Sequence, residues 1–264
     1  MSPSARYAVC EAVLRQGSFA DDIALAAGAG IGGVGVDAPA VETVGADEAR
    51  RILDDHGVQA SSYMDFATIF HEDGGRFPLD EAARRLDVGR RLGVPAALVM
   101  TGALGARAPA EADETCRDWL GACAALAEDR DMRIMLEPMH PLMRRWSYVH
   151  TLDHALTLVD GLEGAGVVLD LGHVWWEHGL DTLIRDHVDE IVSVQVTNVD
   201  TAALEEIRYE RAPFDRGDVP VASLVGLLET SGYDGWYEDE TIVRARRDQR
   251  LAMLRASREW FESL

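Results

Sequence analysis

The 264-residue sequence contains no lysine: all 25 basic residues are arginine, against 46 acidic residues, for a net charge of −21. That absence removes mechanisms built on a primary amine. A Schiff-base aldolase, a pyridoxal enzyme and a P-loop nucleotide enzyme each need a lysine. The excess of negative charge repels phosphate backbones, so nucleic acid is not an expected partner. Cysteine is scarce as well. Cys10, Cys116 and Cys123 match no metal-site spacing, and a pair seven apart on an expected helix ordinarily packs. This usage suits a reducing compartment. Long apolar runs are missing: no stretch reaches the roughly 18 residues of a membrane span, and no basic segment with a following apolar run opens the chain. The expectation is a soluble, cytoplasmic protein with no membrane partner.

What is present is enough for one large core, since 47% of the residues are hydrophobic. No Pro/Ser-rich linker or charge block divides the chain, and a barrel of about 250 residues fits its length, so residues 1–264 are read as one catalytic domain. Short apolar runs alternate with helical periods. Strands are expected at Arg6–Glu11, Gly32–Asp37, Val58–Met64, Ala96–Thr101, Arg133–Glu137, Gly166–Asp170, Ile191–Val196 and Gly235–Glu240. Helices are expected near Phe19–Ala29, Ala46–His56, Leu79–Leu92, Ala110–Asp131, Thr151–Asp160, Leu180–Val188, Pro220–Ser231 and Val243–Phe261. Eight strand–helix units in strict alternation predict an α/β fold, a (β/α)₈ TIM barrel. An open doubly wound sheet is the alternative, disfavoured because no Gly-x-Gly-x-x-Gly turn follows the first strand. The glycines from Gly28 to Gly35 enter a strand and read as a tight turn.

Active-site residues of such barrels stand at the carboxyl ends of the strands. Glu137, Asp170, Gln195 and Glu240 sit at or near the ends of four apolar runs. Any one of them alone is ordinary, as a helix N-cap or a loop charge, but adjacent strand ends converge in space. Three carboxylates in a dry pocket raise one another's pKa unless a cation or shared protons intervene. Four oxygen donors, three of them anionic, suit a hard ion such as Mn²⁺ or Mg²⁺, with Co²⁺ a further candidate.

Leu136-Glu137-Pro138, Leu169-Asp170-Leu171-Gly172-His173, Val194-Gln195-Val196 and Gly232-Tyr233-Asp234-Gly235 with Glu240 together resemble the sugar phosphate isomerase/epimerase family of xylose isomerase-like TIM barrels. The resemblance covers most of the chain and is strongest from Arg133 onward. It implies that Glu137, Asp170, Gln195 and Glu240 bind one divalent cation. Glutamine at the third position resembles the hydroxypyruvate isomerase branch, where ketose 3-epimerases carry histidine. The implied chemistry is enolisation of an α-hydroxy ketone, with Glu137 and Glu240 as proton donor and acceptor on opposite faces. Glu238 shares the strand face of Glu240 and is its rival, but the family's spacing selects Glu240.

His173 and His140, each three residues past a strand-end carboxylate, read as catalytic or substrate-positioning groups, with plain packing as the alternative. Trp146, Trp175 and Trp176 lie in loops on the expected active face; one of the adjacent pair is expected to pack and the other to stack on a substrate. Among Arg144, Arg145, Arg208, Arg211 and Arg216, Arg211 is the expected substrate contact, while most of the others read as solvated surface. The stretch His71-Glu72-Asp73, with Gly74 and Gly75 as hinges, reads as a lid or as a plain surface loop.

Three functions compete. The first is an isomerase or epimerase of a ketose, 3-oxo-sugar or small hydroxy-ketone. The second is a lyase on the same enolisation, either a dehydratase or the catalytic subunit of a C-glycoside-cleaving enzyme. The third is a non-enzymatic sugar-binding barrel. A homo-oligomer is implied by the resemblance, or a hetero-oligomer with a small subunit under the lyase reading. Metal endonucleases of the same barrel are excluded by charge and by too few strand-end histidines.

Overall fold

The computed structural model describes residues 3–15, 17–205, 208–241 and 247–264. Eight parallel strands close into a barrel in the order β1-β10-β7-β6-β5-β4-β3-β2. They are β1 (Tyr7–Cys10), β2 (Gly33–Asp37), β3 (Gln59–Thr68), β4 (Ala96–Met100), β5 (Arg133–Leu136), β6 (Ala165–Asp170), β7 (Ile191–Val196) and β10 (Trp236–Asp239). Between β7 and β10 the chain adds a two-stranded antiparallel ribbon, β8 (Asn198–Val199) and β9 (Arg211–Ala212).

The barrel strands form where the chain is apolar on both faces. Every residue of β4 and β6 is buried, as strands covered by helices outside and side chains inside must be. The surrounding helices are amphipathic. Ala46–His56 buries Ala49, Ile52 and Leu53, one stripe at steps of three and four, and carries Asp47 and Glu48 in its first turn. It stops at Gly57, whose φ of 66° is the left-handed conformation that ends a helix without Cβ strain. Phe19–Gly28 begins with a capping box between Ser18 and Asp21.

Most boundaries fall within two residues of expectation. Two ends fall outside that margin: the helix expected to reach Asp131 stops at Glu128, and β3 continues four residues past Met64 to Thr68. Phe66 and Ala67 are buried there, while Asp65 adopts a φ of 50° and the β3–β4 register slips between Tyr63 and Ala67. The last helix is described as Arg247–Glu262; the expected start at Val243 lies outside the described residues. Short helices at Glu11–Leu14, Ala38–Val44, Leu171–Val174 and Thr201–Glu205 were not anticipated. Cys116 and Cys123 are free and buried on the Pro109–Glu128 helix. Among the described residues, no helix is long and apolar enough to cross a membrane.

The stretch His71–Asp73 is held as a wall. Phe70 bridges Arg76, the His71 N–H donates to the Gly75 carbonyl at 3.0 Å, and Arg107 Nη2 donates to the Gly74 carbonyl at 3.1 Å. The first two contacts close the loop after β3 on itself, and the third ties it to the loop after β4.

Candidate metal centre

Parallel pairing aligns the strand ends. Asp170 on β6 pairs with Gln195 on β7, which pairs with Glu238 on β10, and the Glu240 N–H donates to the Val196 carbonyl at 2.9 Å. Glu137 follows β5, its N–H donating to the Val99 carbonyl at 3.0 Å. Four expected residues from four strands thus stand at one mouth of the barrel, all of them buried.

Asp170 caps a helix with one oxygen and keeps the other for the barrel mouth. Its Oδ1 accepts the Gly172 N–H at 2.7 Å, capping the Leu171–Val174 helix, while Oδ2 faces inward. That helix carries His173 into the mouth, with Nε2 at 3.5 Å from Asp170 Oδ2 and 3.8 Å from Glu137 Oε1. Glu137, Asp170 and His173 form a buried group whose donor atoms all lie within 4.8 Å of one another and could hold one metal ion. His173 therefore stands among the possible ligands themselves, closer in than a residue that only touches substrate.

Arg211 enters from β9. Its Nη2 lies 3.3 Å from Asp170 Oδ2, and its Nη1 lies 2.6 Å from Glu240 Oε2 and donates to the Glu240 carbonyl at 2.6 Å. The expected substrate arginine is thus an internal counter-ion of two carboxylates. Three carboxylates against one guanidinium still leave two negative charges in excess, and the protonation states reflect it. Burial, then the charges of Glu240 and Asp170, push Glu137 well above the usual carboxylate range. Burial raises Glu240 to about 7, with Arg211 opposing and Asp170 adding to the rise. Burial and then Arg211 lower His173 to about 3, so its imidazole is neutral, the form that ligates metals.

Several buried polar atoms here have no hydrogen-bond partner: Gln195 Oε1 and both ring nitrogens of His173. Gln195 is held from the other end, its Nε2 pointing at Met64 Sδ (3.7 Å) and Cys10 Sγ (4.0 Å) across the barrel interior. Its carbonyl oxygen is left free. Such atoms are costly to bury alone, and a cation satisfies oxygen and imidazole donors together. The donor set and its excess of two charges fit one divalent ion.

Glu238, the rival of Glu240, is committed elsewhere. Its carboxylate accepts from Ser61 (2.5 Å), Ser62 (2.6 Å) and Ser193 (3.0 Å). Gly35 makes room for it, since a Cβ there would lie 2.9 Å from Glu238 Oε1.

His140 Nδ1 accepts the Leu142 N–H at 3.2 Å, which leaves Nε2 as the protonated nitrogen of the neutral ring. Its ring stands 5.3 Å from that of Tyr209 and 6.1 Å from that of Trp176. Trp175 packs against the core, whereas Trp176 is 39% exposed and Trp146 55% exposed. Arg145 and Arg216 are largely exposed. Tyr209 was not singled out from the sequence. Its hydroxyl donates to the Gly172 carbonyl at 2.8 Å and its ring covers His173 at 5.2 Å. Its signal was the two-residue spacing to Arg211, legible only once β9 is known.

A profile of the xylose isomerase-like TIM barrel family matches residues 23–264. No protein of curated function matches the chain in sequence. Among solved structures, a protein from Sinorhizobium meliloti superposes with a TM-score of 0.87 at 20% identity, covering 98% of both chains. The 3-keto-D-glucoside 4-epimerase YcjR from E. coli gives 0.82 at 16% identity, covering 98% of this chain and 99% of that one. The IolI protein with a bound zinc atom gives 0.81 at 15% identity, covering 98% of both. At these identities the likeness is one of fold, and it agrees with the family match: the chain belongs to the xylose isomerase-like TIM barrel family.

Proposed function

We propose that this barrel is a divalent-metal-dependent isomerase or epimerase that enolises a ketose, a 3-oxo-sugar or a small hydroxy-ketone. The observation that carries the reading is the convergence of Glu137, Asp170 and His173 with Glu240 and the free Gln195 oxygen. Glu137, Asp170, Gln195 and Glu240, joined by His173, would hold the ion, Mn²⁺ or Mg²⁺ suiting so oxygen-rich a set. When bound, the cation supplies Lewis-acid polarisation of a substrate carbonyl. The relatives support the class of chemistry: one is a sugar epimerase and another carries zinc.

The chain's own groups supply the proton transfers. Glu240, paired with Arg211 through Oε2, and Glu137, which faces the same space from β5, are the carboxylates placed to take up and return a proton. His140 presents Nε2–H as a donor for a substrate oxygen, and Trp176 beside it excludes water and offers an aromatic face. Arg211 holds the two carboxylates in register.

The test is solvent deuterium uptake into a panel of ketoses and 3-oxo-sugars, with added Mn²⁺ and with chelator. Uptake with metal and none with chelator is expected. E240Q should keep most of the metal affinity and lose exchange by about a hundredfold or more, whereas D170A should lose the metal first, read by calorimetry. No exchange with any member, or metal binding and activity alike in both variants, would refute the reading.

A further inference from the structure

Beside the metal centre, on the β3–β5 side of the same barrel mouth, lies a cleft of about 1000 Å³. It is walled by the loops after β3, β4 and β5, and none of the metal-centre residues lines it. Its volume is at the upper end of small-molecule sites, which run from about 300 to 1000 Å³. Two of its residues, Arg145 and Trp146, belong to the segment that leaves β5 through Glu137 and His140.

Trp146 is the feature that needs explaining. Its indole is 55% exposed, yet its backbone is fixed. The Gly102 N–H donates to the Trp146 carbonyl at 2.8 Å, and the Trp146 N–H donates to the Met143 carbonyl at 2.8 Å. The next residue, Ser147, is buried and shares a hydroxyl hydrogen bond of 2.9 Å with Thr101. A large apolar ring held out over a cleft by an anchored backbone is a surface built to be covered.

The other walls say by what. Each of the two cations of the cleft stands beside a partner, Arg145 in an exposed pair and Arg107 in fixed bonds. Arg145 pairs with Glu72 at 3.6 Å, while Arg107 lies over the Phe70 ring at 4.3 Å and donates to the Leu104 and Gly74 carbonyls. With Glu72, Asp73 and Glu111 also present, acidic groups outnumber basic ones, so the cleft is ill suited to a phosphate or carboxylate. An aromatic face with the carboxylates of Asp73 and Glu111 in the same cleft suits a neutral polyhydroxylated ring, apolar on one face and rich in hydroxyl donors at its edge.

We propose that this cleft is a second carbohydrate subsite, with one ring stacked on Trp146, and that the substrate of the metal centre is a neutral glycoside or disaccharide. The identity of the reacting end rests on the enolisation reading above; the subsite itself does not.

The experiment is calorimetric titration of chelator-treated and Mn²⁺-loaded protein with a panel of neutral disaccharides spanning the linkages, and with glucose and fructose as one-ring controls. At least one disaccharide should bind about tenfold tighter than either control. W146A, whose folding is checked by its melting temperature, should erase that advantage while leaving one-ring binding in place, and W146F should restore most of it. Equal affinities for one and two rings across the panel, an equal effect of W146A on both, or preferential binding of a sugar phosphate would overturn the proposal. Because the advantage is read without metal as well as with it, loss of metal-dependent exchange alone would refute the enolisation reading and leave the subsite standing.

Discussion

Glu11 shows how a single carboxylate at the barrel mouth couples to stability. It is buried, and its Oε2 accepts the Asp37 N–H at 2.7 Å. Burial raises its pKa from 4.5 to about 8, with the Asp37 N–H opposing the rise and the charges of Asp37 and Asp22 adding to it. An unfolded chain releases this proton near 4.5, whereas the folded chain keeps it until about 8. Between those values the folded state binds more protons, so stability declines as pH rises through the window; it is fully present below and lost above. E11Q keeps an oxygen acceptor for the Asp37 N–H and has no proton to lose. Urea unfolding on either side of the window should therefore show a smaller decline in E11Q than in the parent, the difference being on the order of 3 kcal/mol. Asp37, raised by burial to about 6, contributes its own decline in both proteins and largely cancels. Parallel declines would mean that Glu11 is already ionised in the folded state.

At the scale of the element, β2 and β3 must approach Glu238 closely enough for its serine cage to close. A Cβ on Gly35 would lie 2.8 Å from Ser62 Oγ and 2.9 Å from Glu238 Oε1, inside a barrel with no slack. G35A should destabilise by about 1–3 kcal/mol through overpacking and loosened Glu238 bonds. G32A, immediately before β2 and with open space around it, should be near neutral in the same denaturation series. The comparison also marks what could be read from sequence. The eight barrel strands and their main helices were legible because both signals are periodic and local, and because glycines such as Gly57 and Gly93 end helices in left-handed conformations. The four-residue helices after β1 and β6 are shorter than the period that would reveal them. The strand-end carboxylates were legible because each interrupts an apolar run. The choice of Glu240 over Glu238 came from the spacing of the resembled family alone; its physical reason lies in Ser61 and Ser62, far away in sequence on β3. The place of Arg211 likewise depends on a ribbon of two-residue strands that no pattern foretells.

For the whole molecule, the absence of lysine and the net charge of −21 set opposing effects of salt on stability. Local ion pairs on helix faces, such as Arg50–Asp54, Arg51–Glu48, Arg51–Asp55 and Arg185–Asp181, weaken as salt screens them. Each contributes little, because all are exposed to solvent. Self-repulsion among the excess carboxylates acts over the whole surface and grows with net charge, so its relief should exceed the loss of these pairs. Added sodium chloride should thus raise the melting temperature by several degrees, on the order of 1 kcal/mol for a chain of this size. Most of the gain should come by about 0.3 M, where the screening length has already fallen well below the ~10 Å reached at 0.1 M. The candidate metal centre complicates the measurement, because a divalent ion bound there would stabilise by mass action instead of screening. The titration therefore belongs in chelator, with a neutral osmolyte as control for general exclusion effects. A melting temperature that falls with salt under those conditions would show that the surface pairs outweigh the repulsion, and that the acidic excess is spread widely enough to cost the fold little.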